Sequence, residues 1–166
     1  MKDCEESSPQ SRREETHSGA GPPLAAVSLE NQLCFSIYAA SRAITHAYRP
    51  LLQNINLTYP QYLVMLALWE TDDTTVSELG RRVMLDFGTL TPLLKRLEAR
   101  KLVRRMRDAS DERHVRISLT QTGRDLQGKA RTIPSRLRCQ ISLSRSETAA
   151  LRLAMKTLVR DLGKVR

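Results

Sequence analysis

The feature that most constrains this chain is an abrupt change of hydrophobic period. Residues 76–101 hold two short helical runs in tandem, VSELGRRVM and TLTPLLKRLEARK, separated by LDFG. Thr75 or Ser77 supplies an N-cap for the first run. Directly afterwards LVRRMRDASDERHVRISLT drops to a period of two. Leu102, Arg104 and Met106 alternate with Val103, Arg105 and Arg107, and Val115, Ile117 and Leu119 alternate with Arg116 and Ser118. A period of two is a strand signature, so this segment is expected to be a β-hairpin with DASDE near its tip.

Helices are expected on both sides. From Ser28 onward Leu33, Ile37, Ile44 and Leu51 fall near one helical face, with Pro50 near its end and NINLT breaking the run. Thr58 and Gln61 have capping-box spacing, which predicts a largely buried helix over YPQYLVMLALWE with Pro60 in its first turn. Thr120 can cap a fifth helix through about Cys139, and Ser144 with Glu147 opens a last one to about Leu162. The fold class is therefore mainly α with a small β-hairpin: a winged helix-turn-helix with flanking helices. Residues 28–166 are expected to form this domain. Residues 1–27 mix Ser, Gly, Pro and charge, and are expected to be a disordered acidic tail, since so little apolar surface cannot offset the entropy of ordering.

Charge follows the same order. The chain carries +9 overall, yet residues 1–28 hold three cations against five carboxylates, or −2, leaving +11 for the rest. Residues 81–116 alone contain eleven cations and five carboxylates, an excess of +6. Such a concentration points to a polyanion, most often nucleic acid. A second helix entering the major groove needs short polar side chains at its leading end and cations along its flank. Thr89, Thr91, Lys95 and Arg96 fit that part, and Arg113 fits a hairpin reaching phosphates or the minor groove.

Other classes are harder to support. No apolar run approaches the ~18 residues that cross a bilayer, and MKDCEESSPQSRREETHS lacks the apolar stretch of a secretory signal, so a cytoplasmic protein without a membrane anchor is expected. His17, His46 and His114 sit in separate elements without ligand spacing, and no metal or cofactor is expected. No nucleotide loop, paired carboxylate or Ser/His/Asp set is present to run enzyme chemistry. Three cysteines, Cys4, Cys34 and Cys139, are too few for a disulfide framework.

LDFGTLTPLLKRLEARKLVRRMRDASDERHVRISLTQTG resembles the recognition helix and wing of MarR-type transcriptional regulators, including the wing pattern Asp108, Asp111, Arg113. With LENQLCFSIYAASRAITHAYRPLL and LTYPQYLVMLALWE, the chain resembles the organic hydroperoxide resistance regulators of that family over about residues 29–162. Phe87 is a departure, standing where a serine is typical. The resemblance implies a homodimeric repressor whose flanking helices dimerise and whose two winged lobes bind double-stranded operator DNA. Asp108 and Asp111 would support the wing, and oxidation of one cysteine in the first helix by an organic hydroperoxide would release the DNA. That cysteine corresponds to Cys34, in NQLCFSIYAASR.

Read from its residues alone, a cysteine between Leu33 and Phe35 on an amphipathic helix is more often an inert small hydrophobe. A reactive thiol must reach the thiolate form. If the helix begins near Ser28, Cys34 lies beyond the first turn, out of reach of the positive helix end, and needs hydrogen-bond donors. The resemblance implies Tyr48 and Tyr59, with Tyr38 a nearby third. Tyr48 is 14 residues past Cys34, roughly 21 Å along one straight helix, so the two would meet only across a two-fold axis. The resemblance also implies Cys139 as the resolving thiol of an intersubunit disulfide of a two-cysteine regulator. A MarR-type regulator released by a small aromatic ligand, with no thiol chemistry, remains the alternative.

Overall fold

Local side-chain chemistry decides where most of the helices begin. Thr58 accepts from the Gln61 amide while the Gln61 side chain accepts from the Thr58 amide, and the same reciprocal box joins Thr75 with Glu78 and Ser144 with Glu147. Thr120 accepts from Gly123 N–H at 3.0 Å. Each cap satisfies amides that a helix start leaves without partners, an effect of about 1 kcal/mol apiece. The computed structural model describes residues 28–107 and 115–163. A 3-10 turn at Leu29–Asn31 precedes α1 (Leu33–Gln53), α2 (Tyr59–Glu70), β1 (Thr74–Thr75), α3 (Val76–Val83) and α4 (Phe87–Ala99). There follow β2 (Val103–Arg107), β3 (Val115–Leu119), α5 (Gln121–Ala130), α6 (Ile133–Arg138) and α7 (Arg145–Leu162).

Four boundaries differ from the sequence expectations. α1 starts at Leu33 rather than Ser28: Ser28 makes no side-chain cap, and Gln32 is extended at φ −87°, ψ 119°, so the helix starts afresh after it. α4 starts at Phe87 rather than after LDFG, because the Asp86 carboxylate accepts from Thr89 N–H at 2.8 Å and caps the helix two residues earlier. The expected fifth helix is two helices, broken at Arg131 and Thr132. Pro134 has no N–H to continue the ladder and its ring conflicts with the carbonyl four residues back, so it is accommodated in the first turn of a new helix. The hairpin gains a third strand, β1, giving the order β1-β3-β2, all antiparallel. Its register sets Val103 opposite Leu119 and Thr74 opposite Ile117.

The chain divides into two units between Ser41 and Arg42, inside α1, and the core lies in the second. That core joins the end of α1 to α2, α3, α4, the sheet, α5 and α6: Leu52, Met65, Leu68, Leu79, Leu94 and Ile117 are all essentially inaccessible. α2 buries residues on nearly every side, as its unbroken apolar sequence requires. Gly123 closes the sheet against α5. A Cβ there would stand 2.0 Å from the Leu102 carbonyl oxygen, and the Gly123 carbonyl accepts from Trp69 Nε1 at 2.9 Å. α1 and α7 are built differently. α7 has no buried residue, α1 buries only Leu51 and Leu52, and Leu33 and Leu153 are 61% and 67% exposed.

Candidate functional site

α3 and α4 form the helix-turn-helix. Met84 ends α3 in the left-handed region (φ 56°, ψ 41°), Leu85 N–H returns to the Gly80 carbonyl, and Asp86 starts α4. Leu90, Leu93, Leu94 and Leu97 anchor α4 in the core, which turns Lys95 and Arg96 out into solvent. Thr89 is exposed, but its hydroxyl donates to Asp86 Oδ2 at 2.9 Å, and these Thr89 hydrogen bonds hold the Asp86 carboxyl below its ordinary range. Thr91 is half-buried beside Thr75, Arg105 and Val115. Arg113, Asp108 and Asp111 lie outside the described residues.

The structure sorts the eleven cations that composition left equivalent. Arg82 pairs with Glu70 and donates to the Ala67 carbonyl. Arg100 donates to the carbonyls of Ile55 and Asn56. Arg116 forks onto Asp73 with both contacts at 3.0 Å. Arg105 faces inward with its Nε buried and unpartnered, and its guanidinium is 3.8 Å from Glu98. These four hold the lobe together. Arg81, Lys95, Arg96, Lys101, Arg104 and Arg107 are the exposed remainder among the described residues.

Cys34 is the second residue of α1 and is exposed. This corrects the expectation that placed it beyond the first turn. It sits in the turn whose peptide N–H groups lack helical partners, next to Phe35 and Ser36, whose amides both reach the Gln32 carbonyl at 3.1 and 3.2 Å. Cys139 is the exposed C-cap of α6, its N–H held by the Ser135 carbonyl at 3.1 Å.

Tyr48 of α1 meets Tyr59 of α2 with ring centroids 4.9 Å apart, and meets Tyr62, a ring that sequence reading missed, at 5.6 Å. Tyr59 and Tyr62 are three apart on one helix, so they share a face; that spacing was the available signal. Trp69 extends the cluster, edge-on to Tyr62 at 6.3 Å. Burial raises the pKa of all three phenols. For Tyr48 the neighbouring Tyr59 adds to it, and Tyr62 is pushed up to about 12 by burial and then by Tyr48 and Tyr59. All three hydroxyls are therefore protonated donors at neutral pH. Tyr38, the third expected partner, belongs to the other unit and is exposed. Among the described residues no cluster of His, Cys, Asp and Glu could hold a metal, and no helix is long and apolar enough to cross a membrane.

Helix, turn, helix and three-stranded wing define the class: a winged-helix transcriptional regulator. The family model for SarA/Rot transcriptional regulators matches residues 46–129. The organic hydroperoxide resistance transcriptional regulator of Bacillus subtilis is 48% identical over 134 residues, 81% of this chain and 91% of that protein. The regulator TtmR of Methylorubrum extorquens is 53% identical over 124 residues, 75% of this chain but only 64% of that protein's length. Among solved structures, reduced AbfR bound to DNA, a Staphylococcus epidermidis protein, is similar with a TM-score of 0.73 at 36% identity, covering 82% of this chain and 94% of that one. Its disulfide form gives 0.56. The chain belongs to the organic hydroperoxide resistance regulators, a branch of the MarR family, and is not an enzyme.

Proposed function

We propose that this protein is a thiol-switched repressor: a reduced homodimer binds operator DNA through α4 and the wing, and an organic hydroperoxide releases it by oxidising Cys34. The observation that carries this is the placement of Cys34, exposed in the first turn of α1, in a chain of this family. In the first step the Cys34 thiolate attacks the outer peroxide oxygen. The O–O bond breaks, the alkoxide leaves and takes up a proton as alcohol, and sulfur becomes a sulfenic acid. In the second, the Cys139 thiol of the partner subunit condenses with it: an S–S bond forms, the S–O bond breaks and water leaves. Tyr48 and Tyr59, adjacent and protonated, are the donors assigned to the sensor sulfur of the partner subunit, with Tyr38 as the third. Forming a disulfide between helices that start farther than about 7 Å apart at Cα would respace the lobes off half-sites one DNA turn apart.

On the DNA side, Lys95 and Arg96 contact phosphate, Thr89 and Thr91 contribute at the leading end of α4, and Arg113 enters the minor groove from a wing held by Asp108 and Asp111. The exposed apolar residues of α1 and α7 form the dimer interface. A second reading, release by a small aromatic ligand, has a cavity of about 170 Å³ beside Tyr62, Trp69 and Pro134 to draw on.

One experiment separates the two. DNA from upstream of the protein's own gene is shifted by reduced protein, released by cumene hydroperoxide and recovered with dithiothreitol. Cys34→Ser keeps its DNA in peroxide, and non-reducing gels show a peroxide-induced covalent dimer in wild type and Cys4→Ser but not in Cys34→Ser or Cys139→Ser. Peroxide release that survives Cys34→Ser refutes the thiol switch, and a covalent dimer that survives Cys139→Ser refutes the resolving role.

A further inference from the structure

The leading end of α4 presents one side chain that neither the core nor the cap accounts for. Among its first five residues Leu90 is fully buried, Gly88 has no side chain, and Thr91 is half-buried in a cleft with Thr75 and Arg105. A Cβ at Gly88 would stand 3.1 Å from Asp86 Oδ1, so the residue is bare where the cap folds over it. The Thr89 hydroxyl has spent its proton on Asp86. Phe87 is left, at the first helical position and 61% exposed.

We propose that Phe87 is a specificity-determining residue of this regulator and reads the C5-methyl group of a thymine in the major groove. The inference rests on the DNA-binding reading above and adds to it. The first residues of a recognition helix are those that reach base edges. A phenyl ring neither donates nor accepts a hydrogen bond, so it gains nothing at a phosphate oxygen or at a donor or acceptor of a base. The thymine methyl is the one apolar group displayed in the major groove, and apolar contact with it distinguishes thymine from every other base. Asp86, the N-cap one residue before Phe87, is kept ionised by its Thr89 hydrogen bonds, so it repels phosphates and disfavours a backbone role for this corner of the helix.

The test uses the full-length reduced protein and a duplex it selects from a random library. Each thymine of that duplex is replaced in turn by deoxyuridine, which removes only the methyl group. Wild type should lose about fourfold in affinity for each half-site at one symmetry-related pair of positions, the equivalent of unburying one methyl. Phe87→Ser should bind thymine and uracil duplexes alike at that pair, and Phe87→Leu, still apolar, should keep most of the discrimination. Both variants should melt with wild type, since the ring is exposed. A selected duplex with no methyl-dependent position, or with equal dependence in wild type and Phe87→Ser, overturns the assignment to Phe87 alone. Failure to select any duplex overturns it together with the DNA-binding reading.

Discussion

α2 and α7 are both helices opened by a capping box, yet they are opposite in outcome. α2 buries Gln61, Tyr62, Val64, Met65, Ala67 and Leu68, whereas α7 buries nothing and leaves Leu151, Leu153, Val159 and Leu162 in solvent. Caps and periodicity decide that a helix forms; they do not decide what it packs against. The winged lobe holds its own core, while α7 and most of α1 carry apolar faces that the protomer does not cover. The homodimer proposed above would supply such a cover, and the contrast can be attacked from either side.

The largest effect is expected inside the lobe, at Gly123. Replacing it by alanine sets a Cβ 2.0 Å from the Leu102 carbonyl oxygen and 3.2 Å from Leu119 Cδ2, contacts that only backbone movement relieves. The turn from sheet to α5 also carries the hydrogen bond from Trp69. Gly123→Ala should cost roughly 4 kcal/mol or more, at the upper end for overpacking. The urea midpoint should fall sharply at every protein concentration. A midpoint within error of wild type would mean that the sheet and α5 are not held together as described.

On α7 the expected loss is smaller and of another kind. Leu153→Arg removes an exposed apolar side chain, so the protomer's own core is untouched. If α7 lies in a dimer interface, burial of each leucine contributes about 1.5–3 kcal/mol, and the charge adds a desolvation cost. Sedimentation equilibrium should show a weakened dimer, and the melting temperature should become steeply dependent on concentration while the dilute limit stays that of wild type. An unchanged dimer with a lower dilute-limit melting temperature would place Leu153 in the protomer core instead.

How much of this was legible follows the same division. The capping boxes at Thr58 and Ser144 were readable because their partners lie three residues away, and the hairpin because its alternation is local. The two-residue β1 was not readable: TT acquires strand character only by pairing with Ile117 and Arg116 more than forty residues later. The expectation of one helix from Thr120 to about Cys139 took no account of Pro134, which starts a new helix there. For the site, sequence put Lys95 and Arg96 on the open face of α4, yet it could not tell them from Arg100 and Arg116, whose acceptors are distant in the chain. Tyr48 and Tyr59 came from the family resemblance alone, and Tyr62 was passed over because a ring within an apolar run reads as core until its neighbours are known.

Tyr62 gives a third, moderate effect, seen only at alkaline pH. Its folded pKa, pushed up to about 12, exceeds the unfolded value of 10, so the folded state keeps a proton that the unfolded state has released. That contribution is fully present below pH 10 and is lost as pH rises from 10 toward 12. Tyr48 and Tyr59 act in the same direction. Wild type should therefore lose stability steadily across this window, and Tyr62→Phe, which has no proton to lose, should show a shallower slope with a similar midpoint at pH 7. Parallel slopes would remove the phenol from the buried cluster. At neutral pH, Tyr48→Phe and Tyr59→Phe should slow Cys34 oxidation and leave the binding of reduced protein to DNA intact, as stopped-flow peroxide kinetics and a gel shift can show.

The smallest effect belongs to Met84, at the hinge between the two helices of the motif. Its φ of 56° lies in the left-handed region, where a side chain crowds its own carbonyl at a cost of about 1–2 kcal/mol. Asn56 and Asp73 share that conformation, but their short polar side chains tolerate it, whereas a methionine gains nothing there. The side chain is 72% exposed, so removing it forfeits little burial. Glycine relieves the strain and also raises the entropy of the unfolded chain, a penalty of roughly 0.5–1 kcal/mol that offsets part of the gain. Met84→Gly should thus stabilise the lobe by about 0.5–1 kcal/mol, raising the urea midpoint at unchanged slope, while Met84→Val, branched at Cβ, should lower it. The opposite order would mean that the α3–α4 turn does not hold Met84 in the left-handed region in solution, and that the lobe's rigidity stops short of the motif it presents.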